Sequence, residues 1–326
     1  MTNVGIIGTG WFSEVHAKIL MKMEEVNMAA VCGTSLPKAM GFAGKFAGMR
    51  GYEDVEEMLD GERLDAVYLC VPPFAHGEIE LQLIKRGIPF FVEKPVGTSM
   101  EAPEIILSAL KEKPVITSVG YHFRYRETAA RLKAELEGAV LGMITGQWMG
   151  SMPPVPWWRN LAQSGGQLVE QTTHIIDFLR YTAGEVEEVS AVFGSRALES
   201  MHKGVTIPDV GTVTLKMKSG PLAVISNTCM LPEGDSKIGI DFFHSKGILQ
   251  LDQEGLTKSE NGIVTEWKDQ TSPYISEARA FIHAIRTGDA SGIKSDYFDA
   301  CRTQKIAAAA VESARTVSSV SITEDF

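Results

Sequence analysis

The most constraining feature of this chain is its beginning. An apolar run, Val4-Gly5-Ile6-Ile7, breaks directly into Gly8-Thr9-Gly10-Trp11-Phe12-Ser13 and then into helical spacing. A short, continuously apolar run reads as a strand buried on both faces, as in a parallel sheet. Beyond it, Phe12, Val15, Ile19, Leu20 and Met23 recur at helical intervals. In such a strand–turn–helix the first glycine permits the tight turn and the second lets a pyrophosphate approach the backbone. The third position needs only a small residue, here Ser13. N–H groups and the dipole at the helix start then hold the phosphates. Alone, the hexad also describes a plain β–α turn, so its weight depends on the pattern of the next hundred residues.

That pattern repeats the unit. Strands are expected at 3–8, 28–32, 65–71, 88–92 and 115–119, with amphipathic helices between them, as at 77–86 through Ile79, Leu83 and Ile84. Alternating strand and helix implies a doubly wound α/β sheet, a Rossmann domain over residues 1–120. After Gly120 the rhythm changes. A helix at 126–136 leads to a strand at 143–149, a Pro- and Trp-rich loop at 153–158 and a helix at 169–181. Several β runs fill 186–252, with turns at Lys218-Ser219-Gly220 and Ser245-Lys246-Gly247, and helices return at 275–286 and 297–315. Strands in succession beside grouped helices predict an α+β domain over 121–326, its open sheet mostly antiparallel with helices on one face.

Length and composition agree with this and exclude other classes. A chain of 326 residues suits two domains, and 44% hydrophobic content describes an ordinary globular protein. No run of 18 apolar residues occurs, so no spanning helix is expected, and no signal peptide is read ahead of Val4. A net charge of −10 argues against a nucleic-acid partner. Cys32, Cys70, Cys229 and Cys301 are scattered with no C-x-x-C pair, which suits buried free thiols in a reducing cytoplasm. No His/Cys cluster has zinc-ligand spacing and no G-x-S-x-G elbow is present, so metal and serine-hydrolase chemistry are not expected.

Candidate site residues lie where the strands should end. The second strand runs into Cys32-Gly33-Thr34-Ser35, with no acid to take a ribose 2′-hydroxyl. Thr34, Ser35 and Lys38 suit a 2′-phosphate instead, which favours NADP over NAD; a plain loop is the alternative. Phe91-Val92-Glu93-Lys94-Pro95 closes another strand and aims Lys94 at the ligand crevice outside the sheet's carboxyl edge. A lysine there can hold a substrate hydroxyl and exchange a proton, or it is simply a solvated strand-end lysine.

Together with Val71-Pro72-Pro73, His76 and Gly165-Gly166 followed by His174 and Asp177, these motifs make the chain resemble the Gfo/Idh/MocA oxidoreductases over essentially its whole length. The resemblance implies an NAD(P)-dependent enzyme in which Lys94 and His174 surround the reacting carbon. It places Glu93 near the nicotinamide ribose and makes the Lys94–Pro95 bond commonly cis. It also implies an oligomer, a dimer or tetramer, formed through the open face of the C-terminal sheet; alternating Val213, Leu215 and Met217 offer an apolar face for it. Members acting on polyol or sugar hydroxyls often carry Asp four residues before the histidine. Here that position is Glu170, one methylene longer.

On a continuous helix Glu170, His174 and Asp177 share one side, with Leu168, Ile175, Ile176 and Leu179 opposite. Two readings stand: an amphipathic helix with a wet polar side, or, given Phe178 and Tyr181 on that side, a substrate cleft. The catalytic candidates are therefore Lys94, His174 and Glu170. Cofactor contacts are expected from Gly8, Thr9, Gly10, Trp11, Phe12, Thr34, Ser35, Lys38, Val71, Pro72, His76, Glu93 and Lys94, with His76 capping a helix there. Substrate contacts are expected from Arg124, Tyr125, Trp158, Arg159 and Asp177, although Arg124 equally suits a salt bridge and Trp158 a core plug. The expected reaction is hydride transfer between nicotinamide and a hydroxyl-bearing carbon of a sugar, polyol or related small molecule. The alternatives are a nucleotide-sensing regulator without chemistry, and NAD-assisted elimination or glycoside cleavage.

Overall fold

Two sheets organise residues 1–323, the part of the chain described by the computed structural model. By internal contacts the chain forms two units. Residues 1–97, 101–125 and 273–300 make the first; residues 98–100, 126–272 and the described residues from Cys301 onward make the second.

The first unit is built on β1 (Thr2–Ile7), β2 (Val26–Cys32), β3 (Arg50–Tyr52), β4 (Ala66–Leu69), β5 (Phe90–Val92) and β6 (Thr117–Val119), all paired in parallel. Their spatial order is β3-β2-β1-β4-β5-β6, the doubly wound arrangement whose switch point lies between β1 and β4. β4 and β5 are buried at every residue, which is why they read as unbroken apolar runs. β3 has three residues at the sheet edge, too short to carry an apolar pattern. The helix α1 (Trp11–Leu20) packs Ala17 and Leu20 into a core with Val4, Ile6, Val31 and Tyr68. Phe281 and Ile282, on the helix Pro273–Thr287, are buried in that same core. Each such side chain contributes about 1.5–3 kcal/mol when buried. That apolar stripe makes a segment from late in the chain part of the first unit.

The second unit carries a nine-stranded sheet among the described residues. Its strands are β7 (Leu141–Met149), β8 (Val186–Gly194), β9 (Val210–Met217), β10 (Leu222–Thr228), β11 (Lys237–His244), β12 (Gly247–Asp252), β13 (Leu256–Glu260), β14 (Ile263–Trp267) and β15 (Val320–Ser321). In the order β14-β13-β12-β11-β7-β10-β9-β8-β15, only β7 and β10 pair in parallel. The helix Thr173–Ala183 lies on β7 so closely that a Cβ at Gly146 would sit 2.7 Å from Ile175 Cγ2. Ser313 Oγ, on the helix Tyr297–Thr316, accepts from Ala191 N of β8 (2.9 Å).

This arrangement corrects one expectation. Val213, Leu215 and Met217 are at most 1% exposed and belong to the core of their own unit. The open face of the sheet carries Thr212, Thr214 and Lys216 instead. No helix among the described residues is long and apolar enough to cross a membrane.

Candidate active site

The glycine turn sits where the strand order reverses. Gly8 follows β1 with φ +113°, and a Cβ there would lie 2.2 Å from Cys70 O at the end of β4. Only glycine lets the two loops approach so closely. Gly10 differs: its φ is −80°, and a Cβ on it would meet nothing within 4 Å. It is the N-cap of α1, and no side chain caps that helix. The first-turn N–H groups and an unfilled space beside Gly10 fit an anion such as a dinucleotide pyrophosphate. Ser13 is fully buried, as the third motif position requires. Trp11 lies 71% exposed at the helix start with Phe12 edge-on to it (4.7 Å between centroids).

Around this turn the loops after β2, β4 and β5 bring further candidates. After β2, Lys38 Nζ donates to Thr34 Oγ1 (3.1 Å), and Ser35 opens the helix Leu36–Ala43 without capping it. The N–H of Leu36 is taken instead by Glu53 Oε2 (2.9 Å), so a carboxylate stands at the loop expected to favour phosphate. After β4, Val71 and Pro72 lead into the helical turn Pro73–Ala75 and then His76. The helix cap expected of His76 is made by Glu80, whose Oε2 accepts from Gly77 N (2.8 Å). His76 Nδ1 donates to the other Glu80 oxygen (2.5 Å), and its buried Nε2 has no partner among the described residues. That buried ring nitrogen also fits a site that takes a ligand. After β5, Glu93 and Lys94 are both buried and the Lys94–Pro95 bond is cis.

Glu93 is held by a residue that the motifs had not singled out. His16 Nε2, on α1, lies 2.7 Å from Glu93 Oε1. A Cβ at Gly120 would sit 2.8 Å from Glu93 Oε2, so glycine at that position makes room for the carboxylate. The signal for His16 was present: it stands four residues after Phe12 and four before Leu20, on the apolar side of the helix. Arg124 and Tyr125 are engaged within the same unit. Arg124 donates to Lys294 O (2.6 Å) and pairs with Asp299 (2.7 Å), while Tyr125 Oη accepts from Lys294 N (2.8 Å). Burial first, and then the nearby Glu277 carboxylate, push the Tyr125 hydroxyl pKa up.

In the second unit, Gly165 and Gly166 both have positive φ (+74° and +81°). A Cβ at Gly165 would sit 2.8 Å from Val169 Cγ1, on the helix beyond it. That helix is not uniform: Leu168–Thr172 winds as a π-helix before the α-helix Thr173–Ala183 begins. The wider turn falls between Glu170 and His174, where the sequence pattern assumed a uniform helix. Trp158 Nε1 donates to Glu170 Oε2 (2.9 Å), and the Trp158 ring plugs a core of Leu198, Val205, Ile207 and Cys229. Arg159, next to it, takes Thr206 N on its carbonyl (2.9 Å).

His174 is 4% exposed, and its ring stacks on that of Trp148 from β7 (5.7 Å between centroids, 15°). Asp177 and Phe178 are fully buried, so the wet-sided amphipathic helix is excluded. Asp177 Oδ1 accepts from Thr303 Oγ1 (2.9 Å), which in turn accepts from Arg180 Nη1 (2.8 Å). Asp177 thus ties its helix to the helix Tyr297–Thr316. Gln167 anchors the other end: its Nε2 donates to Thr228 O (2.8 Å), and its Oε1 accepts from Asn227 Nδ2 (2.7 Å). None of the four cysteines forms a disulfide. Burial, then the Asp54 charge, pushes the Cys32 thiol up to about 11, and burial, then Asp209, pushes Cys229 up to about 12.

Known proteins match both units. The model of an oxidoreductase family with an NAD-binding Rossmann fold, Gfo/Idh/MocA, matches residues 2–121, and the C-terminal domain of the same family matches residues 125–250. The myo-inositol 2-dehydrogenase of Thermotoga maritima is 25% identical over 306 residues, 90% of this chain and 91% of that protein. The glucose-6-phosphate 3-dehydrogenase of Bacillus subtilis is 25% identical over 246 residues, 72% of this chain and 69% of its own length. Among solved structures, a levoglucosan dehydrogenase in complex with NADH and L-sorbose superposes with a TM-score of 0.87 at 20% identity, covering 99% of both chains.

Proposed function

The chain belongs to the Gfo/Idh/MocA family and is a nicotinamide-dependent oxidoreductase, and we propose that it acts on a CH–OH group of a sugar, polyol or related small molecule. The observation that carries this is the turn at β1: an uncapped helix N-terminus behind Gly10, whose missing side chain leaves open space at the switch point of a doubly wound sheet. The sugar and polyol names of the relatives support the substrate class.

When bound, the nicotinamide supplies the hydride chemistry. The protein's part is to position the substrate and to move a proton. Lys94 and His174 are the groups proposed to hold the reacting hydroxyl and exchange its proton, since amine and imidazole both serve as general bases. Glu93 faces the cofactor; Glu170, steadied by Trp158, binds a neighbouring hydroxyl. NADP is favoured over NAD through Thr34, Ser35 and Lys38, against the opposing charge of Glu53. Cysteines outside any disulfide, with Cys32, Cys229 and Cys301 buried, suit a reducing cytoplasm.

Self-association through the open sheet face is the second part of the reading. Leu222, Met143, Phe243 and Ile248 are cross-strand neighbours in one row on that face, and Leu222 is 47% exposed. Such a row suits contact with a second copy.

The test is a fluorescence titration of wild-type and Lys94→Ala protein with NADH and NADPH, and then turnover on sugars and polyols. Lys94→Ala is expected to retain cofactor affinity and lose most turnover. Turnover equal to wild type removes Lys94 from the mechanism, and a wild-type protein that binds neither cofactor refutes the enzyme reading. A net redox change in the products separates the dehydrogenase from elimination, which regenerates the cofactor.

A further inference from the structure

The mechanism leaves unused the histidine that reaches Glu93 from the glycine-loop helix. His16 is 1% exposed, and its ring is enclosed by Phe91 (5.0 Å between centroids), Tyr68 (5.3 Å) and Tyr274 (6.4 Å). Its Nε2 meets Glu93 Oε1 at 2.7 Å, with both side chains buried. A carboxylate only accepts, so Nε2 carries the proton of this bond. Nδ1 has no partner among the described residues. Glu93 is therefore the hydrogen-bond partner that His16 has within the described residues. The other carboxylate oxygen is the one lying over Gly120.

We infer that His16 is a positioning residue that orients the Glu93 carboxylate toward the nicotinamide half of the cofactor. It couples α1, whose first turn takes the pyrophosphate, to the strand end that carries Glu93 and Lys94. The inference rests on the reading of Glu93 as a cofactor contact. It accounts for a polar ring at a helical position otherwise reserved for packing, in a cage that would suit leucine or phenylalanine equally well.

The experiment measures dissociation constants of NADH and of ADP, which lacks the nicotinamide riboside, for wild type, His16→Leu, His16→Gln and Glu93→Gln. Loss of one charge-assisted hydrogen bond predicts NADH binding about tenfold weaker in His16→Leu. ADP binding is expected to be unchanged, and His16→Gln, which keeps an N–H donor, recovers most of the NADH affinity. Glu93→Gln reproduces the NADH loss, and adding His16→Leu to it weakens NADH no further. Equal weakening of NADH and ADP means a disturbed helix and overturns the inference, as does NADH affinity unchanged in His16→Leu. Should the leucine variant not fold, Glu93→Gln and His16→Gln decide: unchanged NADH binding in the first, or no retained affinity in the second, overturns it. A wild type that binds ADP and not NADH instead removes the nicotinamide reading on which it rests.

Discussion

Replacing each motif glycine by alanine separates the fold from the cofactor site, because the two glycines are required for different reasons. At Gly8 the backbone has φ +113° and the added Cβ would lie 2.2 Å from a main-chain oxygen, Cys70 O, which no rotamer change relieves. The strained backbone costs about 1–3 kcal/mol and the forced separation of the β1 and β4 loops about 1–3 more. At roughly 2–4 °C per kcal/mol, Gly8→Ala is expected to lower the melting temperature by about 5–20 °C. At Gly10 the backbone is ordinary for alanine (φ −80°) and the methyl meets no protein atom within 4 Å. Gly10→Ala is expected to melt within about 2 °C of wild type, any shift being slightly upward as the unfolded chain loses freedom. The methyl occupies the approach to the first-turn N–H groups instead. Loss of one or two charge-assisted hydrogen bonds there weakens NADH by about 2–4 kcal/mol, roughly 30- to 1,000-fold. Circular dichroism melts and NADH fluorescence titrations on the two variants are sufficient. A stable Gly10→Ala that binds NADH as wild type does would refute the assignment of that space to the pyrophosphate. A Gly8→Ala that melts like wild type would refute the close approach of the two loops.

Three further outcomes can be checked directly. Asp209 is buried and accepts the N–H groups of Arg196, Ala197 and Leu198; burial works against its charge, but those donors outweigh it and hold the carboxyl below the usual range. A depressed folded pKa means that its contribution is full above the ordinary Asp value of about 3.9 and is lost as pH falls through the folded value. Asp209→Asn should therefore destabilise by about 2–4 kcal/mol at neutral pH and flatten the acid limb of a stability–pH profile; an unchanged profile would contradict this. Lys38→Ala should weaken NADPH about five- to tenfold and leave NADH alone, whereas Glu53→Gln should strengthen NADPH about two- to fivefold. Identical effects on both cofactors in titrations would show that neither side chain reads the 2′ position. Phe243→Asp, in the apolar row of the open sheet face, should lower the mass seen by light scattering; a wild-type monomer, or an unchanged mass, ends the proposal of association through that face.

The first sheet was legible from sequence because its strands are buried on both faces. Unbroken apolar runs around Val4–Ile7 and Ala66–Leu69, each succeeded by helical spacing, admit few other folds. The glycine turn, the Glu93-Lys94-Pro95 strand end and Gly165-Gly166 were legible as well, since a backbone that needs no Cβ, or a charged group at the end of an apolar strand, marks itself. The apolar alternation of β9 was legible too, but not which side it faces: Val213, Leu215 and Met217 suit a covered face or an open one until the helices above them are placed. Only the tertiary structure decided that. It also brought the Pro273–Thr287 helix into the first unit through Phe281 and Ile282, wound Leu168–Thr172 as a π-helix, and paired Glu170 with Trp158. His16 with Glu93 and Asp177 with Thr303 belong to the same class, being partners 77 and 126 positions apart. Periodicity reports which side of an element is apolar, a property of neighbouring residues. Which distant group a buried polar side chain meets depends on how whole elements pack, because each buried donor or acceptor must find its partner wherever that packing places one.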